Sequence, residues 1–185
     1  MAQEDRARWN EKHSKNMMPQ EPIGLLKTYL PLVKGKQALD IACGNGRHSR
    51  YMASLGFEVD ALDISSVAIE NLQGVPHIDA KEVDFDSYVL EENRYDVIVC
   101  TYFLERKLFP QIVKALKPKG VFIMETFVSH ANNERTPSNP AFRLEEGELE
   151  ATFKTHLEIR HIEEWWDKDY QGFATMKVSM VAQKK

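Results

Sequence analysis

Residues 36–63 read KQALDIACGNGRHSRYMASLGFEVDALD, and this stretch predicts a strand, a turn and a helix in that order. The apolar run at 38–42 is too short for a helix and is typical of a strand covered on both faces. Gly44 and Gly46 then predict a turn in which the backbone adopts unusual dihedral angles and no side chain blocks a ligand. Residues 47–55 follow with apolar side chains at helical spacing.

A second strand is predicted at 57–62, and it ends on Asp63. A carboxylate at this strand end can accept hydrogen bonds from both hydroxyls of a ribose. Asp40 precedes the turn, and a pyrophosphate prefers a turn without a nearby negative charge. The dinucleotide fingerprint also requires a third glycine where this chain has Ser49. The turn therefore favours a ligand with an ammonium and a sulfonium group over a dinucleotide.

Residues 40–46 resemble motif I of the class I S-adenosylmethionine-dependent methyltransferases, and Asp63 matches that family's ribose-binding acid. Ala42 stands where the family usually has its first glycine. Outside this site, the stretch at 139–149, NPAFRLEEGEL, is similar to the small-molecule methyltransferases grouped with the tellurite-resistance and thiopurine-type enzymes. The resemblance covers most of the chain beyond residue 20.

The resemblance implies that the chain binds S-adenosylmethionine and releases S-adenosylhomocysteine. It implies an adenine site at Asp84 and Phe85, although a helix-capping Asp followed by a core Phe is an alternative. It also implies an N-terminal lid that carries Trp9, which otherwise packs on the domain, whereas His13 is expected to be solvated. The expected cofactor-binding residues are Asp40, Ala42, Cys43, Gly44, Asn45, Gly46, Asp63, Ile64, Asp84, Phe85, Thr101 and Trp9.

The catalytic residue is left unassigned, because methyl transfer from a sulfonium mainly requires alignment and exclusion of water. His130 is a candidate general base, with a simply solvated histidine as the alternative. Arg106 and Arg143 are candidates for binding an anionic acceptor, with surface ion pairs as the alternative. Tyr102 is a further candidate, and Glu125 and Arg135 are also expected to face the cleft.

The whole chain predicts an α/β fold, a Rossmann-like, doubly wound, seven-stranded and mostly parallel sheet with one antiparallel strand near the C-terminus and helices on both faces. We expect one domain spanning 1–185, in which 1–20 form an N-terminal helix or lid. Helices are predicted at 2–15, 23–33, 47–55, 65–72, 109–116 and 144–153. Strands are predicted at 38–42, 57–62, 81–85, 95–100, 121–124, 156–166 and 174–183, with a turn at 117–120, a long loop at 128–143 and a turn around 168–172.

The composition is that of an acidic globular domain, with 185 residues, 43% hydrophobic residues and a formal net charge of −4. This charge argues against general binding to nucleic acid or to an anionic membrane, and no apolar run is long enough to span a bilayer. Cys43 and Cys100 are expected to be reduced thiols, which predicts a cytoplasmic protein. The histidine spacing predicts no metal site. A monomer and a homodimer both stay open.

The function predicted from the sequence is methyl transfer from S-adenosylmethionine to a small-molecule acceptor. An alternative is a non-catalytic module that binds S-adenosylmethionine in a regulatory role. A third possibility, a nicotinamide-dependent enzyme, is disfavoured by the missing third glycine and by Asp40.

Overall fold

The computed structural model describes residues 2–15, 19–168 and 172–185. Its strands are β1 (Gln37–Ile41), β2 (Glu58–Asp63), β3 (Ile78–Glu82), β4 (Tyr95–Thr101), β5 (Leu116–Phe127), β6 (Leu157–Lys168) and β7 (Ala174–Lys184). Its helices are α1 (Ala2–Ser14), α2 (Gly24–Tyr29), α3 (Arg47–Ser54), α4 (Ser66–Glu70), α5 (Leu108–Ala115) and α6 (Glu148–Phe153), with short 3-10 turns at Leu30–Leu32 and Pro140–Phe142.

The strands form one seven-stranded sheet in the order β3-β2-β1-β4-β5-β7-β6. β1 to β5 run parallel to one another, and β7 is antiparallel to both β5 and β6. Among the described residues β7 is therefore the one strand that runs against the others, as the sequence predicted. The strand order reverses next to β1, so β1 and β4 flank a switch point at the carboxyl edge, where open parallel sheets bind their ligands.

Helices cover both faces of this sheet and bury its apolar side chains. On one face α5 and α6 contribute Phe109 and Phe153 to the larger core cluster. On the other face α2 and α3 contribute Leu26 and Met52 to a second cluster. Full burial of such side chains stabilises the fold by about 1.5–3 kcal/mol each. The predicted doubly wound arrangement is confirmed.

The third strand lies three residues earlier than predicted, at Ile78–Glu82 rather than at 81–85. β3 is an edge strand with one neighbour, and most of its side chains are exposed or half-buried, so no apolar run marks it. Val83 and Phe85 are buried directly after it. Both side chains belong to the core, and their apolar spacing within 81–85 resembles that of a strand.

The turn predicted at 117–120 is part of β5 in the structure. Tyr95 pairs with Leu116 and Val97 pairs with Val121, so β5 accommodates extra residues between these two pairs as an irregularity in the ladder. Lys119 adopts a φ of 65° there. The turn-forming residues were recognised correctly, but they form a bulge within a strand instead of preceding one.

Three predicted helices are shorter by three or more residues than their predicted ranges, and the one predicted at 65–72 spans Ser66–Glu70. The helix predicted at 23–33 ends at Tyr29 and continues as a 3-10 turn that contains Pro31, whose ring cannot donate the next helical hydrogen bond. The helix predicted at 144–153 begins at Glu148, because Leu144 instead donates its backbone N–H to the Phe127 carbonyl at 3.0 Å. The predicted lid at 1–20 and the turn around 168–172 fall partly outside the described residues.

Candidate active site

The glycine turn follows β1 at the carboxyl edge of the sheet. Ile41 pairs with Leu62 of β2 and with Cys100 of β4, so the ends of three strands meet here. The Cys43 N–H donates to the Leu62 carbonyl at 3.0 Å, which ties the turn to β2. Gly46 has a φ of 77° and leads directly into α3. The turn is therefore tied to the sheet edge at the place where the sequence predicted it.

Asp63 lies against this turn, with 5% of its surface exposed. One carboxylate oxygen accepts the Gly44 N–H at 2.8 Å, and the other accepts the Ser65 N–H at 2.8 Å. Burial raises the pKa of Asp63, and these two N–H groups together with His13 oppose that shift. Each oxygen keeps a further lone pair, so the carboxylate can still accept hydrogen bonds from a ligand.

Asp40 lies below the turn and is almost fully buried, with 1% of its surface exposed. Its carboxylate accepts the Ser49 hydroxyl of α3 at 2.5 Å. Burial raises the pKa of Asp40 to about 7, and the Ser49 hydrogen bonds and Arg47 oppose the shift. In this structure Asp40 anchors the start of α3 rather than facing open solvent, so any direct contact with a ligand stays a prediction.

His13 lies beside the glycine turn, a position that the sequence reasoning did not predict. It was expected to be solvated, yet it is buried, and its Cε1 atom lies 2.9 Å from where a Cβ atom on Gly44 would be. Its Nδ1 atom is buried without a hydrogen-bond partner among the described residues. Burial lowers the pKa of His13, and Asp63 opposes this. The signal that could have revealed it is its position four residues after Trp9, because such residues share a helix face.

Helix α1 lies over the glycine turn and is attached to α4. The Asn10 side chain accepts the Ser65 hydroxyl at 2.7 Å and donates to the Ser66 hydroxyl at 3.1 Å. Trp9 stacks on His13, with ring centroids 5.7 Å apart. Asn45 of the turn donates its side-chain amide to the His13 carbonyl at 3.4 Å. Trp9 thus reaches the turn through His13.

The proposed adenine residues lie just beyond β3. The Val83 N–H donates to the Asp63 carbonyl at 2.8 Å, and Asp84 is two residues past the last pair of the β2–β3 ladder, Asp63 with Glu82. Asp84 accepts the Asp86 N–H at 2.9 Å through its side chain, as a turn-capping residue does. Phe85 is buried, with its ring 5.3 Å from that of Phe103. The geometry therefore matches a core Phe, with an Asp that caps a turn rather than a helix, and the adenine contacts stay a prediction.

The remaining cofactor candidates also lie at this edge. Ala42 and Cys43 are in the turn itself, and Ile64 is half-buried directly after Asp63. Thr101 is the last residue of β4 and pairs with Glu125 of β5. Burial raises the pKa of the Cys43 thiol well above its usual value, which argues against a thiolate nucleophile.

Tyr102 lies at the centre of a polar cluster just after β4. Its hydroxyl donates to the Glu125 carboxylate and accepts the Lys177 ammonium at 3.2 Å. Lys177 also pairs with Asp167 at 2.6 Å, and the Arg47 guanidinium lies 5.7 Å from the tyrosine ring. Burial and the Glu125 charge raise the pKa of Tyr102, so the phenol stays protonated and acts as a hydrogen-bond donor. Lys177 was missed by sequence reasoning, which proposed no site residue on the strand at 174–183.

His130 lies apart from this cluster, beside Trp166, with their rings edge to face at 4.9 Å. Its Nδ1 atom accepts the Asn132 N–H at 3.1 Å, and its Nε2 atom lies 3.7 Å from Glu146. The nitrogen that would act as a base is therefore already occupied. This geometry gives no support to a general-base role for His130.

The two arginines suggested for anion binding have different environments. Arg106 forms two hydrogen bonds with Glu148, at 2.6 and 2.9 Å, and donates to the Ala141 and Arg143 carbonyls. It is committed to an ion pair, which was the alternative interpretation. Arg143 donates to the Thr136 hydroxyl at 3.0 Å, and its Nε atom is buried without a partner in the described part of the chain.

Among the described residues no group of three His, Cys, Asp or Glu side chains is arranged to bind a metal ion. In the same part of the chain, no helix is both long enough and apolar enough to cross a membrane.

The comparison with protein families matches residues 11–174 to the model of the tellurite resistance protein TehB. The chain belongs to the TehB family. This confirms the resemblance to class I S-adenosylmethionine-dependent methyltransferases of the tellurite-resistance type. Among curated proteins, this TehB-family chain is 30% identical over 112 residues to a ubiquinone biosynthesis O-methyltransferase from Pasteurella multocida, over 50% of this chain and 46% of that protein.

A ubiquinone biosynthesis O-methyltransferase from Burkholderia vietnamiensis is 35% identical over 107 residues, which cover 50% of this chain and 44% of the relative. The chain therefore spans less than half the length of the curated relatives that it matches. Among solved structures, TehB from Haemophilus influenzae superimposes with a TM-score of 0.79 at 22% identity, over 96% of this chain and 67% of that one. A SAM-dependent methyltransferase from Methanosarcina mazei superimposes with a TM-score of 0.69 at 19% identity. The match covers 89% of this chain and 98% of that one. At these identities the structural matches show the shared fold.

Proposed function

We propose that this TehB-family chain is an enzyme that transfers a methyl group from S-adenosylmethionine to a small-molecule acceptor. The observation that carries the proposal is the Asp63 carboxylate, which two backbone N–H groups hold against the glycine turn at the switch point of the sheet. The family match and the methyltransferase names of the curated relatives support the same reaction class.

The residues of this edge fit the cofactor in charge and in hydrogen-bonding capacity. Asp63 would accept the ribose hydroxyls, and Gly44 leaves its backbone accessible to a ligand. The buried Nδ1 atom of His13 beside Gly44 has no hydrogen-bond partner among the described residues, and a bound ligand could satisfy it. When bound, S-adenosylmethionine supplies a methyl group that its sulfonium has already activated. Asp40, Ala42, Cys43, Asn45, Gly46, Ile64, Asp84, Phe85, Thr101 and Trp9 complete the proposed set.

The protein's own contribution is to bind, orient and exclude water. Helix α1 covers the turn through His13 and Trp9, and it would shield the site from solvent. Tyr102, at the end of β4, is a protonated donor directed at Glu125 and held by Lys177. This cluster would orient polar groups next to the reacting centre without requiring a general base.

Calorimetric titration with S-adenosylmethionine, S-adenosylhomocysteine and NAD tests the proposal. We expect micromolar binding of the first two and no binding of NAD. Asp63→Asn should weaken binding about tenfold or more, the cost of about one hydrogen-bonded contact to a charged group. Asp79→Asn is the matched control, because Asp79 is an exposed aspartate on neighbouring β3. The affinity of this variant for S-adenosylmethionine should equal that of the wild type.

Binding alone does not distinguish an enzyme from a regulatory module. Formation of S-adenosylhomocysteine is therefore measured with a panel of hydroxyl, thiol, amine and oxyanion acceptors. Acceptor-dependent product that falls in Asp63→Asn at limiting S-adenosylmethionine, in proportion to the weaker binding, supports the enzyme. Tight binding without turnover for every acceptor would favour the regulatory module, and preference for NAD would contradict both.

We also propose a cytoplasmic location and expect no association with nucleic acid or membranes, with a monomer and a homodimer both open. The two cysteines are buried and free, which is typical of a reducing compartment, and the net charge is −4.

A further inference from the structure

A cavity of about 320 Å³ lies beside the polar cluster, where the first turn of α2 meets β5, β7 and β6. Its polar lining comes from Glu125, Ser179, Glu163 and His161, and Trp165 forms an aromatic wall. The volume is that of a small-molecule site. The Tyr29 ring of α2 lies 6.2 Å from the His161 ring, so the helix closes one side.

The strand register explains why two carboxylates meet in this cavity. Glu125 of β5 pairs directly with Ser179 of β7, and Ser179 pairs with Glu163 of β6. Directly paired residues point to the same face of a sheet, so the three side chains form one row. Trp165 lies two residues after Glu163 and therefore faces the same side.

The charges around this row leave the cavity acidic. Lys177 pairs with Trp165 across the strands and so lies on this face, but its ammonium is paired with Asp167 at 2.6 Å and donates to the Tyr102 hydroxyl at 3.2 Å. Arg47 lies over the Tyr102 ring at 5.7 Å and donates to the Glu21 carbonyl. Glu125 receives the Tyr102 hydroxyl, whereas the exposed Glu163 carboxylate pairs with no cation among the described residues.

We propose that this cavity binds a small organic cation, an alkylated ammonium compound. Carboxylates attract the positive charge, and an indole face adds a cation–π interaction that favours an alkylammonium over a strongly hydrated metal ion. Ser179, 3.2 Å from the His161 Nε2 atom, offers a polar group for a hydroxyl on the same ligand. An anion would face uncompensated negative charge here. Cation binding requires no cofactor, so the proposal stands apart from the proposed function.

The test is a calorimetric titration of the full chain, without cofactor and at constant ionic strength, with choline chloride and with 3,3-dimethylbutan-1-ol. These two probes have the same shape, and only choline is charged. We expect saturable binding of choline that weakens with added salt, and about tenfold weaker binding of the neutral alcohol.

Glu163→Gln removes one charge from the row and should weaken choline binding about threefold to tenfold. Glu164→Gln is the matched control, because Glu164 is the next residue on β6 and points to the opposite face of the sheet. The two substitutions change the net charge by the same amount. The choline affinity of Glu164→Gln should equal that of the wild type. Equal binding of choline and the alcohol, an unchanged affinity in Glu163→Gln, or no saturable choline binding would each overturn the proposal.

Discussion

Two non-glycine residues at the carboxyl ends of neighbouring strands adopt the left-handed backbone conformation: Ala42 after β1, with a φ of 53°, and Tyr102 after β4, with a φ of 56°. This conformation is unfavourable for residues with a Cβ atom and concentrates at functional sites. Here it turns the chain away from the sheet edge, which positions the glycine turn in one case and the polar cluster in the other.

Ala42→Gly tests the strain in the turn. Because glycine adopts a positive φ without steric cost, we expect the free energy of unfolding in urea to be unchanged or to rise by up to about 1 kcal/mol. Cofactor affinity should be retained, since the related family usually has glycine at this position. The control is Ala53→Gly in the last turn of α3, where the side chain is buried and the same exchange should cost about 1 kcal/mol. A comparable loss in Ala42→Gly would show that the Ala42 methyl group is needed.

At the scale of single residues, the sequence identified Asp63 and Gly44, because local strand and turn patterns determine their positions. In the structure the Gly44 N–H donates to the Asp63 carboxylate at 2.8 Å. It did not identify His13 or Lys177. Both are polar residues on largely polar or alternating segments, and their burial depends on packing between elements far apart in the chain.

A single ion pair connects two segments that are distant in the sequence, the residues before α5 and the start of α6. Arg106, shortly after β4, binds both oxygens of Glu148 in the first turn of α6 and two carbonyls before that helix. A bidentate guanidinium–carboxylate contact is geometrically specific, and lysine cannot reproduce it. Arg106 therefore holds the long loop at 128–143 and the start of α6 close to α5.

Arg106→Lys should lower the free energy of unfolding by about 0.5–1 kcal/mol, as expected for a partly exposed pair. It should also accelerate proteolytic cleavage between residues 128 and 147, because the two carbonyl contacts are lost. Arg160→Lys, which changes an exposed arginine paired with Glu158 on β6, is the control and should alter neither property. If Arg106 bound an anionic acceptor instead, the variant would lose affinity for that acceptor with no change in cleavage.

For the molecule as a whole, two buried titratable groups, His48 and Asp40, change the folding stability with pH in opposite directions. Burial, followed by the Arg47 charge, lowers the pKa of His48 from 6.5 to about 3. Between these values the unfolded chain binds more protons, so stability falls as the pH falls below 6.5. Asp40 has the opposite effect on stability, because its pKa is raised from 3.8 to about 7. Between these pH values the folded chain binds more protons than the unfolded chain. Stability therefore falls as the pH rises from 3.8 to about 7.

The variants His48→Gln and Asp40→Asn should separate these effects in urea unfolding between pH 4 and 7. Relative to the wild type, His48→Gln should gain stability as the pH falls, and Asp40→Asn should gain stability as the pH rises. Each slope is at most about 1.4 kcal/mol per pH unit, the limit for one proton. Curves parallel to the wild type for both variants would contradict the burial of these groups.

The sequence alone determined the α/β class, the seven strands, the antiparallel strand near the C-terminus, and the positions of the glycine turn and of Asp63 at a strand end. These features follow from short-range signals, namely apolar periodicity, glycine positions and strand–turn–helix order. The tertiary structure decided the boundaries of β3 and α6, the incorporation of 117–120 into β5, and the environments of His13, Arg106 and His130. It also decided the row formed by Glu125, Ser179 and Glu163, because register between three strands brings together residues that are up to 54 positions apart.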